Sequence, residues 1–142
     1  MSANAALQFV DTNILVYAHD RSAGVKHIQA SDLLLDLWQT RSGCLSIQVL
    51  QEFYVTITRK VAMPLAYTEA AAIVGNLTHW RVYAPGPKDL LGAIDLEHRC
   101  QISFWDAMIV HSAARLGCKL IWSEDFNPGQ IYDGIRLLNP FA

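Results

Sequence analysis

The sequence predicts an α/β fold in which a central, mostly parallel β-sheet is flanked by helices. Short apolar segments rich in β-forming residues alternate with longer segments of helical periodicity, and this alternation is typical of parallel sheets covered by helices. The chain has 142 residues, of which 52% are hydrophobic and 17% charged, enough for one well-packed domain. No repeat, linker or low-complexity segment divides the sequence. We therefore predict a single domain over residues 1–142.

Short apolar segments bounded by polar or turn residues are the predicted strands. The first, residues 7–10, ends at an Asp-Thr-Asn run, and the fourth, residues 119–122, ends at a Ser-Glu-Asp run. All five predicted strands are 7–10, 44–45, 80–83, 119–122 and 135–138.

Segments of helical periodicity are predicted at 14–18, 27–41, 47–61, 68–77, 88–100 and 103–116. The third has the most regular apolar stripe, formed by Leu50, Phe53, Tyr54, Ile57 and Val61. This pattern places Glu52 on the opposite, solvated side of the helix. In the fifth helix, the apolar residues expected to face the core are Leu90, Leu91 and Ile94.

The charge and the cysteine content exclude some classes of protein. A net charge of −2 does not fit a polycation that binds nucleic acid by bulk attraction, although local basic residues or a bound metal could supply attraction. The three cysteines lack metal-ligand spacing and are interpreted as buried apolar residues. Because the sequence has neither a secretory signal nor a membrane-spanning apolar run, we expect cytoplasmic localisation and no membrane partner.

Carboxylates follow two of the predicted strands. Asp11 comes directly after the first strand, and Asp125 lies just beyond the fourth. Because the carboxyl ends of parallel strands open on the same edge of a sheet, we expect these two side chains to approach each other. Asp106, near the start of the sixth helix, would lie on the same edge.

Gathered carboxylates repel one another, which raises the proton affinity of some of them. A divalent cation relieves that repulsion. Carboxylates without Cys or His partners favour Mg²⁺ or Mn²⁺ over Zn²⁺. Such ions activate water and stabilise charge on phosphoryl oxygens, so phosphodiester hydrolysis is the predicted chemistry.

Each of these acids also has a purely structural interpretation. Asp11 or Thr12 could cap the helix that follows, and Ser103 and Asp106 have the spacing of a capping box. Asp125 could begin the turn predicted at residues 127–129. By themselves, the residues indicate only a candidate metal site at a sheet edge.

Four motifs in chain order resemble the PIN-domain ribonucleases, and within them the VapC-type toxins of bacterial toxin–antitoxin systems. They are residues 9–13 (Phe-Val-Asp-Thr-Asn), 50–54 (Leu-Gln-Glu-Phe-Tyr), 103–107 (Ser-Phe-Trp-Asp-Ala) and 123–126 (Ser-Glu-Asp-Phe). A closing Asn-Pro-Phe at 139–141 fits the same pattern, so the resemblance covers nearly the whole chain. It implies a PIN-like three-layer sandwich with a central sheet between layers of helices.

The resemblance implies a quartet of acidic metal ligands around Mg²⁺ or Mn²⁺ and three supporting polar residues. The quartet is Asp11, Glu52, Asp106 and Asp125, and the supporting residues are Thr12, Asn13 and Ser123. Asp11 and Asp106 would be the firmest ligands. Glu52 would then face an active-site cleft, contrary to the solvated position that the helical pattern indicates. Because the quartet is complete, the resemblance implies an active enzyme.

The implied activity is hydrolysis of RNA by metal-activated water, leaving a 5′-phosphate. Arg21, Arg59 and Lys60 are the candidate basic residues for attracting the substrate. Family members of this type are usually homodimers inhibited by a cognate antitoxin peptide in the cleft. The implied partners are therefore RNA, an antitoxin and a second copy of the chain.

Three other functions fit the sequence less well. A phospho-acceptor receiver domain needs adjacent acids after the first strand and a lysine beyond a late strand, but Lys119 precedes its strand. A phosphatase with an Asp-x-Asp nucleophile motif fails because residue 13 is Asn. A catalytically silent PIN-like module that binds RNA or protein is opposed by the complete quartet.

Overall fold

One six-stranded, mostly parallel sheet forms the centre of the protein. The computed structural model describes residues 6–127 and 129–142. The strands are β1 Gln8–Val10, β2 Gly43–Ser46, β3 Arg81–Tyr83, β4 Leu120–Trp122, β5 Ile131–Tyr132 and β6 Ile135–Leu138. Their order in the sheet is β3-β2-β1-β4-β6-β5, and the β5–β6 pair alone is antiparallel. The predicted α/β fold class is thereby confirmed.

Six α-helices lie in the described part of the chain, in the positions that the sequence predicted. They are α1 Thr12–His19, α2 Val25–Thr40, α3 Ile47–Arg59, α4 Tyr67–Leu77, α5 Pro87–Cys100 and α6 Phe104–Leu116. A short 3₁₀ turn, Arg21–Ala23, joins α1 to α2 and was not predicted. None of the helices in the described ranges is long and apolar enough to cross a membrane.

The helices form two groups around the sheet. The first group is sequential: α1 packs on α2 and α3, and α3 packs on α4. The second is the α5–α6 pair, in which α6 contacts β2, β3, β4 and β6. Every residue of β2 is buried, as are Phe9 and Val10 on opposite sides of β1. Burial on both faces is typical of a parallel sheet enclosed by helices.

The apolar stripe of α3 is confirmed over most of its length. Leu50, Phe53 and Ile57 are buried, and Tyr54 packs against the same core. Val61 also packs there, but it lies beyond the end of the helix at Arg59. Two of the three cysteines are buried, as predicted, and Cys100 is half-buried.

The prediction for the inward face of α5 was wrong. The residues expected to face the core are exposed, and they are Leu90, Leu91 and Ile94. Ala93 and Leu96 are the buried residues of this helix. The face that packs inward therefore runs through Ala93 and Leu96 and lies on a different side of the helix from the one predicted.

Close approach between α5 and α6 explains this orientation. A Cβ atom added at Gly92 would lie 2.5 Å from the ring of His111 on α6. The missing side chain at Gly92 lets the two helices come close together, with Ala93 next to it. His111 Nε2 also lies 2.8 Å from Asp89 Oδ1 and so links the same two helices. Hydrophobic periodicity gives most weight to large side chains, so it gave no signal for the part of this face that is formed by Gly92 and Ala93.

The short strand β5 was also missed. It forms a hairpin with β6 through Asp133 and Gly134, which both have positive φ angles, 49° and 80°. Asp and Gly tolerate this conformation better than most residues. A two-residue strand is too short to give a periodic signal. The turn predicted at 127–129 includes Pro128, which lies outside the described residues.

Candidate active site

The carboxyl ends of β1 and β4 meet at one edge of the sheet. The two strands are parallel neighbours, and Val10 is paired with Trp122. The Asp11 N–H donates to the carbonyl of Trp122 at 3.0 Å, which extends the pairing by one residue. The Ser123 hydroxyl donates to Asp11 Oδ2 at 2.7 Å. The structure thus brings together the polar ends of the two strands, as their sequence pattern predicted.

The hydroxyl of Ser123 is a central point of this edge. It accepts hydrogen bonds from Asn13 Nδ2 at 3.3 Å and from the Asp125 N–H at 3.1 Å. A serine hydroxyl has two acceptor positions and one proton. Because both acceptor positions are taken, its proton is directed to Asp11. A single buried hydroxyl therefore orients Asp11, Asn13 and the backbone of Asp125.

Asp11 is both a helix cap and a buried acid. Its Oδ1 accepts from the Thr12 N–H at 2.7 Å, so the capping interpretation is correct for α1. The residue is 7% exposed. Burial raises the pKa of Asp11 to about 6, helped by the nearby charges of Asp125 and Asp106 and opposed by the hydrogen bonds from Ser123 and Thr12. The hydrogen bond that caps α1 therefore offsets only part of the free-energy cost of burying the charged form of Asp11.

Glu52 faces the same cleft as Asp11. The Thr12 hydroxyl donates to Glu52 Oε1 at 2.9 Å, which joins the start of α1 to the middle of α3. Glu52 is exposed, but its carboxylate lies along the wall of the cleft. Helical periodicity correctly placed Glu52 on the polar side of α3, but it could not show that this side lines a cleft. Its role as a metal ligand stays a prediction.

Asp125 is held by Asn13. The Asn13 Nδ2 donates to Asp125 Oδ2 at 3.0 Å, and the Asn13 Oδ1 accepts from the Glu124 N–H at 3.2 Å. The Asn13 side chain thus uses its donor and its acceptor to fix the loop after β4. Asp125 is exposed and lines the cleft.

Asp106 lies half-buried in the first turn of α6 and also lines the cleft. Ser103 caps this helix, since its hydroxyl accepts from the Asp106 N–H at 3.1 Å. Burial raises the pKa of the Asp106 carboxyl, the charges of Asp125 and Glu52 raise it further, and Ser103 lowers it. The capping interpretation therefore describes the backbone of Asp106, while its carboxylate belongs to the acidic cleft.

The cleft has a volume of about 890 Å³ and contains all four acids of the predicted quartet in its lining. Among the described residues, Lys60 is the single basic side chain of that lining. The other two basic candidates, Arg21 and Arg59, are exposed residues outside it. Asp20 lies at the rim, where its Oδ1 accepts from the Ser22 N–H at 3.0 Å and so caps the 3₁₀ turn after α1.

The donor chemistry of this cleft fits a hard divalent cation. Within residues 6–127 and 129–142, no three Asp, Glu, His or Cys side chains are gathered closely enough to form a metal cluster as they stand. The four acids nevertheless offer oxygen ligands alone, which suit Mg²⁺ or Mn²⁺. Burial is the main cause of the raised pKa values of Asp11 and Asp106, and the neighbouring carboxylates raise them further. A cation in the cleft would favour the charged form of both carboxyl groups.

Glu124 has a structural role that the sequence did not reveal. Its Oε1 lies 2.8 Å from Lys26 Nζ and accepts from the Tyr17 hydroxyl at 3.3 Å. Lys26 Nζ also lies 5.1 Å from the centre of the Tyr17 ring and 5.3 Å from that of Phe141. These contacts tie the loop after β4 to α1, α2 and the end of the chain. No local pattern connects residues 26 and 124, so sequence spacing gave no signal for this pair.

Comparison with known proteins places this geometry in a family. The sequence matches the PIN domain family over residues 9–133, and no curated protein matches it. VapC20 of Mycobacterium tuberculosis, a sarcin-ricin loop cleaving toxin, has a similar structure, with a TM-score of 0.65 and 20% identity over 91% of this chain and 98% of that chain. A toxin–antitoxin complex from Klebsiella pneumoniae has a TM-score of 0.66 and 17% identity, and the match covers 94% of this chain and 97% of that chain. DNA-bound VapBC from Salmonella typhimurium also has a TM-score of 0.66 and 17% identity, and the match covers 96% of this chain and 99% of that chain. The chain therefore belongs to the PIN domain family.

Proposed function

We propose that this protein is a metal-dependent endoribonuclease and the toxin of a toxin–antitoxin pair, acting as a single domain over residues 1–142. The observation that carries the proposal is the cleft at the carboxyl edge of the sheet, which is lined by buried Asp11 and three further carboxylates. A catalytically silent binding module would not need to bury a charge at this edge. Structural similarity to a toxin that cleaves the sarcin-ricin loop supports RNA as the substrate class.

The metal ligands of the proposal are Asp11, Asp106, Asp125 and Glu52, and the ion is Mg²⁺ or Mn²⁺. When bound, such an ion supplies activation of water and stabilisation of charge on phosphoryl oxygens. The oxygen donors of these residues support this assignment, as does the repulsion between the carboxylates, which contributes to the raised pKa values of Asp11 and Asp106.

The polar residues around the acids would position them. Ser123 directs its proton to Asp11 and so keeps one carboxylate oxygen oriented. Thr12 holds Glu52, and Asn13 holds Asp125. Preorganised acids lose less conformational freedom when substrate and ion arrive. Lys60 would attract a phosphate of the RNA to the rim of the cleft.

A cognate antitoxin is the proposed regulator of this activity. The similar structures from Klebsiella pneumoniae and Salmonella typhimurium are a toxin–antitoxin complex and a DNA-bound VapBC. An antitoxin segment in the cleft would cover the acids and exclude RNA. We also propose a homodimer and cytoplasmic localisation, as expected for toxins of this type.

RNA cleavage tests the enzymatic part of the proposal. Purified protein is incubated with structured RNAs and Mg²⁺ or Mn²⁺, with and without chelator, beside Asp11→Asn and Glu52→Gln. We expect chelation and Asp11→Asn to abolish cleavage and Glu52→Gln to reduce both cleavage and metal affinity. Asp36→Asn is the matched control, because Asp36 is exposed on α2 and lies outside the cleft. Cleavage that survives chelation or Asp11→Asn would refute a metal-dependent nuclease.

Growth on expression tests the toxin part. We expect the wild-type protein to arrest growth, Asp11→Asn to have no effect, and co-expression of the small protein encoded beside it to restore growth. Cleavage in vitro without growth arrest would point to a housekeeping ribonuclease instead.

A further inference from the structure

Trp105 occupies an unusual position beside the acidic cleft. Its side chain is 62% exposed, although tryptophan is among the side chains that gain most from burial. An isolated exposed apolar residue needs no special explanation. This one, however, lines the cleft and is the neighbour of Asp106 in the first turn of α6. The indole is thus presented to whatever enters the site.

The surroundings of Trp105 hold it in that position. Its ring contacts Phe104 edge-to-face, with ring centres 5.0 Å apart and an interplanar angle of 76°. Phe104 packs in turn against the hydrophobic core. On the other side, Gln48 Nε2 lies 3.5 Å from the Trp105 carbonyl oxygen, which links the start of α6 to α3. The Trp105 indole therefore packs on Phe104, while most of its surface is accessible to a ligand.

The lining of the cleft offers two kinds of contact to a ligand. The carboxylates and Lys60 provide charge, and Trp105 provides a flat aromatic surface next to Asp106. A single-stranded RNA also presents two kinds of group, charged phosphates and flat bases. Proteins bind unpaired bases by stacking them on aromatic side chains.

We propose that Trp105 is the stacking surface for an unpaired base of the RNA adjacent to the phosphate that is cut. This inference rests on the proposed ribonuclease function and adds the preference for an unstacked nucleotide at the cleavage site. Base-paired RNA keeps its bases stacked within the helix and does not offer this contact.

Substitutions that separate aromatic character from size test the inference. Trp105→Phe keeps a ring, whereas Trp105→Leu keeps apolar character without one. Trp38→Leu is the matched control, because Trp38 is also partly exposed, at 40%, and lies outside the acidic cleft. Each substitution is made alone and in the Asp11→Asn background, which allows binding of uncut RNA to be measured by fluorescence anisotropy.

We expect Trp105→Leu to weaken binding of a short single-stranded RNA by roughly 5- to 150-fold, the range for loss of one stacked base. Trp105→Phe should retain most of the affinity, and Trp38→Leu should bind as the parent does. In the active background the loss should appear in KM. Equal losses for Trp105→Phe and Trp105→Leu, or no loss for either, would overturn the inference.

An RNA series with one abasic nucleotide at successive positions gives the complementary measurement. We expect one position next to the cleavage site at which removal of the base weakens binding to a protein with Trp105 and leaves binding to Trp105→Leu unchanged. The absence of such a position refutes base stacking. A change in oligomeric state of Trp105→Leu on size-exclusion chromatography would also refute it and make the ring a subunit contact.

The two proposals fail in different ways. If the wild-type protein does not cleave RNA but binding depends on the aromatic ring and on one base, the nuclease is refuted and the stacking surface stands. If cleavage is normal and the Trp105 variants behave as the parent does, the stacking surface alone is refuted.

Discussion

The buried carboxyl of Asp11 should make the stability of the metal-free protein fall as the pH rises. Its pKa is raised from 3.8 to about 6, chiefly by burial. Between those values the native state binds a proton more often than the unfolded chain does. The free energy of unfolding therefore decreases with pH across that window and levels off above it.

The size of this effect follows from the two pKa values. The gap between 3.8 and about 6, at about 1.4 kcal/mol per pH unit, corresponds to about 3 kcal/mol of lost stability. The residue is 7% exposed, so solvent does little to screen it. In Asp11→Asn the carbonyl oxygen still accepts from the Thr12 N–H and caps α1, so the NH2 group faces Ser123 and the Ser123 proton loses its acceptor. That loss costs about 1 kcal/mol at every pH.

We therefore expect Asp11→Asn to be slightly less stable than the wild type near pH 4 and about 2 kcal/mol more stable near pH 7.5. Urea denaturation in the presence of chelator, followed by circular dichroism at a series of pH values, measures both curves. Asp36→Asn, at an exposed acid of α2, should follow the wild type throughout.

Parallel curves for the wild type and Asp11→Asn would refute this reasoning, because they would mean that Asp11 has a similar pKa in the folded and unfolded states. A variant that is inactive in RNA cleavage yet more stable at neutral pH would show that the site is maintained at a cost to stability.

Three further predictions concern hydrogen bonding and packing. Ser123→Ala should lower the free energy of unfolding by roughly 1–3 kcal/mol in chemical denaturation, because three hydrogen bonds end on its hydroxyl. Ser112→Ala, at an equally buried serine whose hydroxyl has no hydrogen-bond partner in the described part of the chain, should be neutral or stabilising. Gly43→Ala should cost about 1–3 kcal/mol, since the new Cβ would lie 2.4 Å from a tryptophan ring; a Tm equal to that of the wild type would contradict this. Leu91→Lys should change stability by less than about 0.5 kcal/mol, whereas Leu96→Ala should cost about 2–5 kcal/mol, because Leu91 is 67% exposed and Leu96 is 1% exposed. If Leu91→Lys cost more stability than Leu96→Ala, Leu91 would face the core, as the sequence predicted.

The convergence of Asp11 with the loop after β4 could be predicted from local patterns. Both strands are short apolar segments with polar ends, and parallel strands have their carboxyl ends on one edge. The position of Glu52 required the resemblance to a family, because helical periodicity separates apolar from polar faces and does not distinguish open solvent from a cleft.

Other features depend on contacts between distant residues and gave no sequence signal. The orientation of α5 follows from the fit of Gly92 against His111, which large apolar side chains nearby obscured. The pair of Lys26 and Glu124 joins residues far apart in the chain. Trp105 was noted only as part of a motif, since its exposure depends on how α3 and α6 meet.

The bond between Ser123 and Asp11 has a consequence for synthesis of the protein. It joins residues 112 positions apart. In the sheet, β1 lies between β2, which is made soon after it, and β4, which is made much later. Chains grow from the amino terminus at about 5–20 residues per second. The acidic cleft therefore assembles only after the chain has been made as far as the loop that follows β4. A chain that ends before the loop after β4 lacks Ser123 and Asp125, so its cleft is incomplete.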